Sequence, residues 1–433
     1  MWEGLARTER QDRVLHGTAK LANVLLGIVL LPLWLFGQLI GGRVRDFLMG
    51  LERRGKRPLP VPPERERSMD ALMGDLQAIP QHLRHSDFAE LRKGFADISN
   101  FVVAQHREGA VIGYRYPGQF KDHIVEGADG ERIAASIALQ EAARPSLIVV
   151  HGLFTSSRFD YVRAIAVRAF YEWGFNVAAL DLRSFGMTEL TSPAPSTGGW
   201  KEGLDILALA RYMKELGGTS VGALGISLGG SSVLNASDQE DTDRSLDGGI
   251  LAVSPPAIPK LAWERLSEPV SRGHPRYPIH RAFEAALISR IRSGRWPPEA
   301  EDMLRAMEVV SAPYYQVDAE EIWTDARGID HVPNAKVPLL ILHPEDDHII
   351  KVEHARMLQG AAEGNDLVRV WILPAGSHGL LEAADPSWTH AVYRTFFERW
   401  GTYAERSTAQ ANGRGAELVY SSQEETTEWT AKS

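Results

Sequence analysis

The chain has 433 residues, 44% of them hydrophobic and 24% charged, enough apolar material for one large folded domain with appendages. Asp and Glu outnumber Lys and Arg by 56 to 47, and no basic run is interleaved with aromatic residues, which argues against a nucleic-acid partner. There is no cysteine, so disulfides, thiol catalysis and thiolate metal sites are excluded.

The first element is Leu21–Ile40, whose only polar side chains are Asn23 and Gln38. Twenty helical residues rise about 30 Å, the hydrocarbon thickness of a bilayer. Residues 1–57 are therefore expected to carry a membrane-anchor-like helix, kinked or split at Pro32. Arg43, Arg45, Arg53, Arg54, Lys56 and Arg57 come after it, against Arg7, Arg10, Arg13 and Lys20 before it. That balance favours a cytoplasmic carboxyl-terminal side. The expected placement is a membrane-anchored protein with a cytoplasmic catalytic domain. A signal peptide and a buried or dimerising helix are the alternatives.

Residues 58–67 are rich in proline and charge and read as a linker, and a helical pattern returns between Met69 and Phe101. Residues 58–110 thus form a linker and helical region ahead of a strand–helix alternation, 111–254 and 335–401, that reads as one core. Lys121–Leu139 is an expected hairpin turning at Asp129-Gly130. Ser146–Val150, Asn176–Leu182, Ser220–Leu224, Gly249–Ser254, Val337–Leu342 and Leu367–Leu373 are short apolar runs, expected as buried, mostly parallel strands. Trp200–Leu216 has helical periodicity. Residues 255–334 interrupt the alternation with a mostly helical pattern carrying Trp263, Phe283, Leu287, Ile288, Ile291, Trp296, Met303 and Met307. They are expected to form a cap over the site. Residues 402–433 are polar and expected to be disordered.

Chemistry concentrates where strands end. Gly225-Ile226-Ser227-Leu228-Gly229 joins a strand to a helix rich in small residues. A serine between glycines at such a junction forms a nucleophile elbow, a turn too tight for side chains at the glycine positions. The pentapeptide alone is a weak signal, and the order of the acidic and histidine residues downstream gives it weight. The strand ending at Leu342 leads into His343-Pro344-Glu345-Asp346-Asp347-His348, and the strand ending at Leu373 leads to His378. Serine, acid and histidine in that order are the triad order of the α/β-hydrolase fold. Asp347, just ahead of the pair Ile349-Ile350, is the expected acid, with Asp346 in reserve. His343, Asp346, Asp347 and His348 have an alternative reading as a metal site, unsupported by other clustered ligands. The remaining histidines are expected at the surface or at helix caps. His151-Gly152-Leu153-Phe154 comes after the Ser146–Val150 strand, where this fold takes one backbone oxyanion donor; Leu153, with Phe154 as the alternative, and Leu228 are the expected pair.

The expected fold class is thus α/β, with a mostly parallel central sheet, helices on both faces, a helical cap insertion and an N-terminal hydrophobic helix. Residues 110–400 resemble the YheT-like branch of serine hydrolases. The resemblance is carried by His151-Gly152-Leu153 with Ser156-Ser157, Tyr161-Val162-Arg163, Gly198–Asp205, the Gly225–Gly230 run and Asp346-Asp347. The chain departs from that branch at Arg183-Ser184-Phe185-Gly186, where Arg-Gly is usual, and at Ala375-Gly376-Ser377, where two glycines usually precede the histidine. The resemblance implies hydrolysis of carboxylic esters, including acylglycerols and other lipid esters, by Ser227, Asp347 and His378. No cofactor is implied, and the expected partner is a small-molecule or lipid ester, with membrane association through Leu21–Ile40. An acyltransferase using the same triad, or a catalytically silent scaffold, are the other readings.

Overall fold

The computed structural model describes residues 61–83 and 116–403, apart from 272, 273, 275 and 380. The expected hydrophobic helix at Leu21–Ile40 and the tail beyond residue 403 lie outside the described residues. Eight strands form one sheet: β1 (Lys121–Glu126), β2 (Arg132–Ala138), β3 (Ser146–Val150), β4 (Asn176–Asp181), β5 (Val221–Ile226), β6 (Ile250–Val253), β7 (Leu339–Pro344) and β8 (Val368–Leu373). They lie in the order β1-β2-β4-β3-β5-β6-β7-β8. β1 and β2 pair antiparallel, as do β2 and β4, and every other pairing is parallel. β3 to β7 are buried along their whole length, which is why each appears in sequence as an unbroken apolar run. β1, at the edge, is mostly exposed.

The chain leaves β3 toward β4 on one side and returns to β5 on the other, so the strand order reverses there. Crevices outside the carboxyl ends of parallel strands at such a reversal are where ligands bind in open α/β sheets. His151–Phe154 and Ser227 both stand at that point, after β3 and β5.

Helices cover both faces. α1 (Met69–Gln77), α2 (Asp160–Arg168) and the last helix, Pro386–Trp400, share one apolar cluster, in which Leu72 and Leu76 meet Trp388, Val392, Tyr393 and Phe396. Ser68 caps α1, its Oγ accepting from Ala71 N at 3.2 Å, and the helix stops short of Pro80, as a residue preceding proline disfavours helix. Arg399 ties both the irregular stretch before α1 and α1 itself to the last helix, by donating to Glu66 O at 2.6 Å and pairing with Asp75. The opposite face carries α3 (Trp200–Glu215) and α4 (Leu228–Asn235), together with the helices of residues 259–334. The longest of those are α5 (Pro259–Ser267) and α6 (Tyr277–Arg292). Beyond them lie α7 (Val352–Ala361) and α8 (Pro386–Trp400).

The expected membrane-anchored, cytoplasmic placement is corrected here. Among the described residues no helix is long and apolar enough to cross a membrane. The longest, α3 and α6, have 16 residues each, a rise of about 24 Å at about 1.5 Å per residue, and both carry several charged side chains.

The expectation that histidines other than His378 lie at the surface or at caps is also corrected. His151, His343, His354 and His390 are buried. Burial pushes His354 and His390 down to about 4, with His343 near the first and Arg168 near the second adding to the shift. Both are therefore neutral in the native state, whereas the unfolded chain binds their protons below about pH 6.5. Stability is expected to fall as pH drops from about 6.5 to about 4, and to gain no further penalty from these two groups below that. Urea unfolding at pH 7 and pH 5 tests this, and in His390→Phe the loss between the two should be smaller.

Candidate active site

The turn after β5 is built by exclusion. Ser227 has φ 58° and ψ −114°, a left-handed backbone that a side-chain-bearing residue adopts only under constraint. A Cβ on Gly225 would stand 2.1 Å from Gly229 O, and one on Gly229 would stand 2.6 Å from His151 O. Only glycine lets β3, β5 and α4 converge this closely, and the convergence lifts Ser227 to the end of the sheet. Ser227 N donates to Val253 O at 2.9 Å, anchoring the turn to β6.

His378 and Asp347 arrive from the two strands beyond. His378 Nε2 is 2.9 Å from Ser227 Oγ, and its Nδ1 is 2.8 Å from Asp347 Oδ2. The Asp347 side chain has no exposure, and its Oδ1 accepts from Ile349 N at 2.8 Å and Ile350 N at 2.9 Å. Those two N–H groups fix the rotamer and aim the other oxygen at the imidazole. Burial alone would push the Asp347 carboxyl up, but His378, His343 and the Ile349 N–H together hold it below the usual carboxylate range. A carboxylate on Nδ1 places the proton there and leaves Nε2 free to accept the serine proton. Asp346 is not on the imidazole: its Oδ1 accepts from Ser377 N at 2.8 Å and braces the loop that carries His378. Of the other residues weighed as metal ligands, His343 Nε2 donates to Ile350 O at 2.8 Å. Among the described residues no group of three or more acidic or histidine side chains could hold a metal ion.

Of the expected oxyanion donors, Leu228 follows the serine directly. Leu228 is the first residue of α4, so its N–H has no partner within the helix. Gly152 lies close enough that a Cβ there would be 3.3 Å from Ser227 Cβ, and Leu153 and Phe154 come directly after it. The loop is held from below. Gly152 N donates to Tyr161 Oη at 2.8 Å, and the Thr155 hydroxyl reaches Tyr161 Oη at 2.7 Å and donates to Gly152 O at 2.8 Å. His151 Nε2 accepts from Leu182 N at 3.0 Å, which leaves the proton on Nδ1, 2.7 Å from Gly152 O. Burial lowers its pKa, so this histidine is a neutral brace.

Residues 147–392, more than half of the chain, match the sequence profile of the alpha/beta hydrolase family. The chain is an α/β-hydrolase. A monoacylglycerol lipase of Saccharomyces cerevisiae is 22% identical to it over 220 residues. That match takes in 48% of this chain and 49% of the yeast protein, so the chain spans about half the length of this relative. An esterase from Pyrococcus furiosus has a TM-score of 0.48 at 17% identity, covering 65% of this chain and 92% of its own. The esterase Est1E from Butyrivibrio proteoclasticus has a TM-score of 0.43 at 18% identity, covering 64% of this chain and 98% of its own.

Two features of the hydrolase have no clear sign in the sequence. Arg183, with no exposed surface, donates through Nε to Asp205 Oδ2 at 2.7 Å and through Nη2 to Asp205 Oδ1 at 2.8 Å. Its Nη2 also reaches Ala128 O at 2.9 Å and its Nη1 reaches Tyr315 Oη at 3.0 Å. The fork therefore ties the hairpin, the loop after β4, α3 and the 259–334 helices at one point. Removing one partner of such a pair strands the other charge in the interior. Arg183→Met is expected to lose about 3–5 kcal/mol in urea unfolding, and adding Asp205→Leu is expected to restore much of it. The second feature is a cavity lined by Phe185, Ser196, Trp263, Trp296, Met303 and Met307, among others. Its volume is ≈ 10 Å³, no more than about one water molecule's room.

Proposed function

We propose that this hydrolase cleaves carboxylic esters, of lipid or other apolar type, through an acyl-enzyme on Ser227. The observation that carries the reading is the continuous line Ser227 Oγ–His378 Nε2–Asp347 Oδ2, at 2.9 Å and 2.8 Å, at the strand-order reversal. Ser227 Oγ attacks the ester carbonyl while His378 Nε2 takes its proton, and Asp347 stabilises the imidazolium. The Leu228 and Leu153 N–H groups receive the oxyanion, having been fixed before its charge develops. His378 then gives the proton to the leaving alcohol, water enters with the same histidine as base, and the acid is released.

Residues 255–334 serve in this reading as a cap over the core formed by 111–254 and 335–401. An apolar substrate is supported by the lipase named among the relatives. The test is labelling of the folded full-length protein with a fluorophosphonate probe, then peptide mapping and assay of p-nitrophenyl esters of increasing chain length. A single phosphonylated peptide bearing Ser227, with measurable ester turnover, is expected. Folded protein that neither labels nor turns over any ester would overturn the proposal.

A further inference from the structure

Phe154, in the loop after β3, has φ 55°, and Ser184, in the loop after β4, has φ 67°. Left-handed backbone at residues bearing a side chain persists only where the surroundings over-determine it. What over-determines Phe154 comes largely from α6. The Phe283 ring lies 5.3 Å from the Phe154 ring centroid, and the Arg290 guanidinium carbon lies 5.0 Å from the same centroid. Phe283 and Arg290 are seven residues apart, two turns along one face of the helix. Phe185, from the loop after β4, closes the third side at 5.8 Å, edge to face.

Arg290 also spans to the second strained loop. Its Nη2 donates to Ser184 O at 2.9 Å, and its guanidinium lies 5.3 Å from the Phe185 ring and 5.4 Å from the Trp296 ring. Its Nε is 3.4 Å from Glu189 Oε1, while the other oxygen of that carboxylate, Oε2, is 2.8 Å from Arg295 Nη1. A nearly buried cation wedged among three aromatic rings is costly unless its geometry is used. Here the planar fork bonds one loop while its carbon lies over the ring of Phe154, next to the expected oxyanion donor Leu153 of the other.

We propose that Arg290 is a positioning residue for the oxyanion site: with Phe283 it holds Phe154, and through it the Leu153 N–H, where the developing negative charge is received. Catalytic power is then complete only while α6 is docked on the β3 loop. This rests on the ester-hydrolase reading above and adds to it a dependence on the cap.

The test compares full-length wild type with Arg290→Met, which keeps the apolar stem, and Arg290→Lys, which keeps the charge without the fork. The measurements are kcat and KM on p-nitrophenyl butyrate, inhibition by a trifluoromethyl ketone, and circular dichroism. A trifluoromethyl ketone forms a hemiketal oxyanion, so its affinity reports the same donors. Arg290→Met is expected to lose about 10–100-fold in kcat with KM within about twofold, and the inhibitor should weaken in step with kcat/KM. Arg290→Lys should fall between. A folded Arg290→Met with wild-type kcat and inhibitor affinity overturns the proposal, as does a loss that merely tracks the folded fraction. If Arg290→Met fails to fold, the same criteria apply to Arg290→Lys. A wild-type protein inert to both ester and fluorophosphonate would instead sink the ester-hydrolase reading itself, a result seen before any variant is made.

Discussion

Ser227→Ala is expected to lower kcat by about six orders of magnitude, the largest effect of any substitution in this chain. The size comes from how the parts act together. Without Oγ no acyl-enzyme forms, and His378 and Asp347 have nothing to activate. What remains is the oxyanion donors and substrate binding, which alone leave roughly 10³–10⁴-fold over water. The fold should hardly notice. Alanine keeps the Cβ, so the elbow's strain at φ 58° is unchanged, and the loss is one hydrogen bond to a half-buried imidazole. The melting temperature should therefore stay within a few degrees of wild type, while fluorophosphonate labelling disappears. Labelling or ester turnover that survives at wild-type rate in the alanine variant would remove Ser227 from the mechanism.

The elbow is legible in sequence because its geometry can be met by few residues. Gly225 and Gly229 occupy places where any Cβ collides with backbone, so the glycines announce the turn before it is seen. The strands are legible for a related reason. Ser146–Val150 and its neighbours are covered on both faces, and a strand buried twice leaves an unbroken apolar run. Their ends are less so: the apolar run before the serine stops at Leu224, yet β5 pairs with β6 through Ile226. The choice between Asp346 and Asp347 turns on the pair of isoleucines downstream. In three dimensions both carboxylates meet the His378 loop, one at the ring and one at the Ser377 N–H, so proximity in sequence could not separate them.

The features hidden from sequence depend on partners far away in the chain. Nothing local distinguishes His343 or His390 from a surface histidine; their burial is decided by strands and helices that fold over them. Arg183 and Asp205 are 22 residues apart and meet only because the loop after β4 crosses the start of α3. Residues 255–334 are recognisable as helical in sequence, yet their division is not. Pro259, Pro278 and Pro313 sit in the first turns of separate helices, and Gly294 at φ 71° lies just past the end of α6. These breaks turn α6 so that Phe283 and Arg290 face the β3 loop.

Asp347→Asn is expected to lower kcat by about 10⁴, through the tautomer of His378 rather than through the shape of the site. The two N–H groups of Ile349 and Ile350 demand an oxygen at the Oδ1 position. The amide can satisfy them only by turning its NH₂ toward the imidazole, which then meets Nδ1 as a donor. His378 must move its proton to Nε2 to accept that bond, and Nε2 can no longer take the proton of Ser227. The same substitution has a signature in stability. In the native state His378 and the loop N–H groups hold Asp347 below its ordinary range despite burial. Its contribution is therefore complete above the unfolded value of about 3.9 and is lost as pH falls through the lower native one. Asparagine has no such titration, so the stability difference between wild type and Asp347→Asn should be largest near neutral pH and shrink below about pH 4. Urea unfolding of both proteins from pH 7 to pH 3 measures it. A difference that stays constant across that range would mean that Asp347 is not ionised against His378, and that the site works by some other pairing.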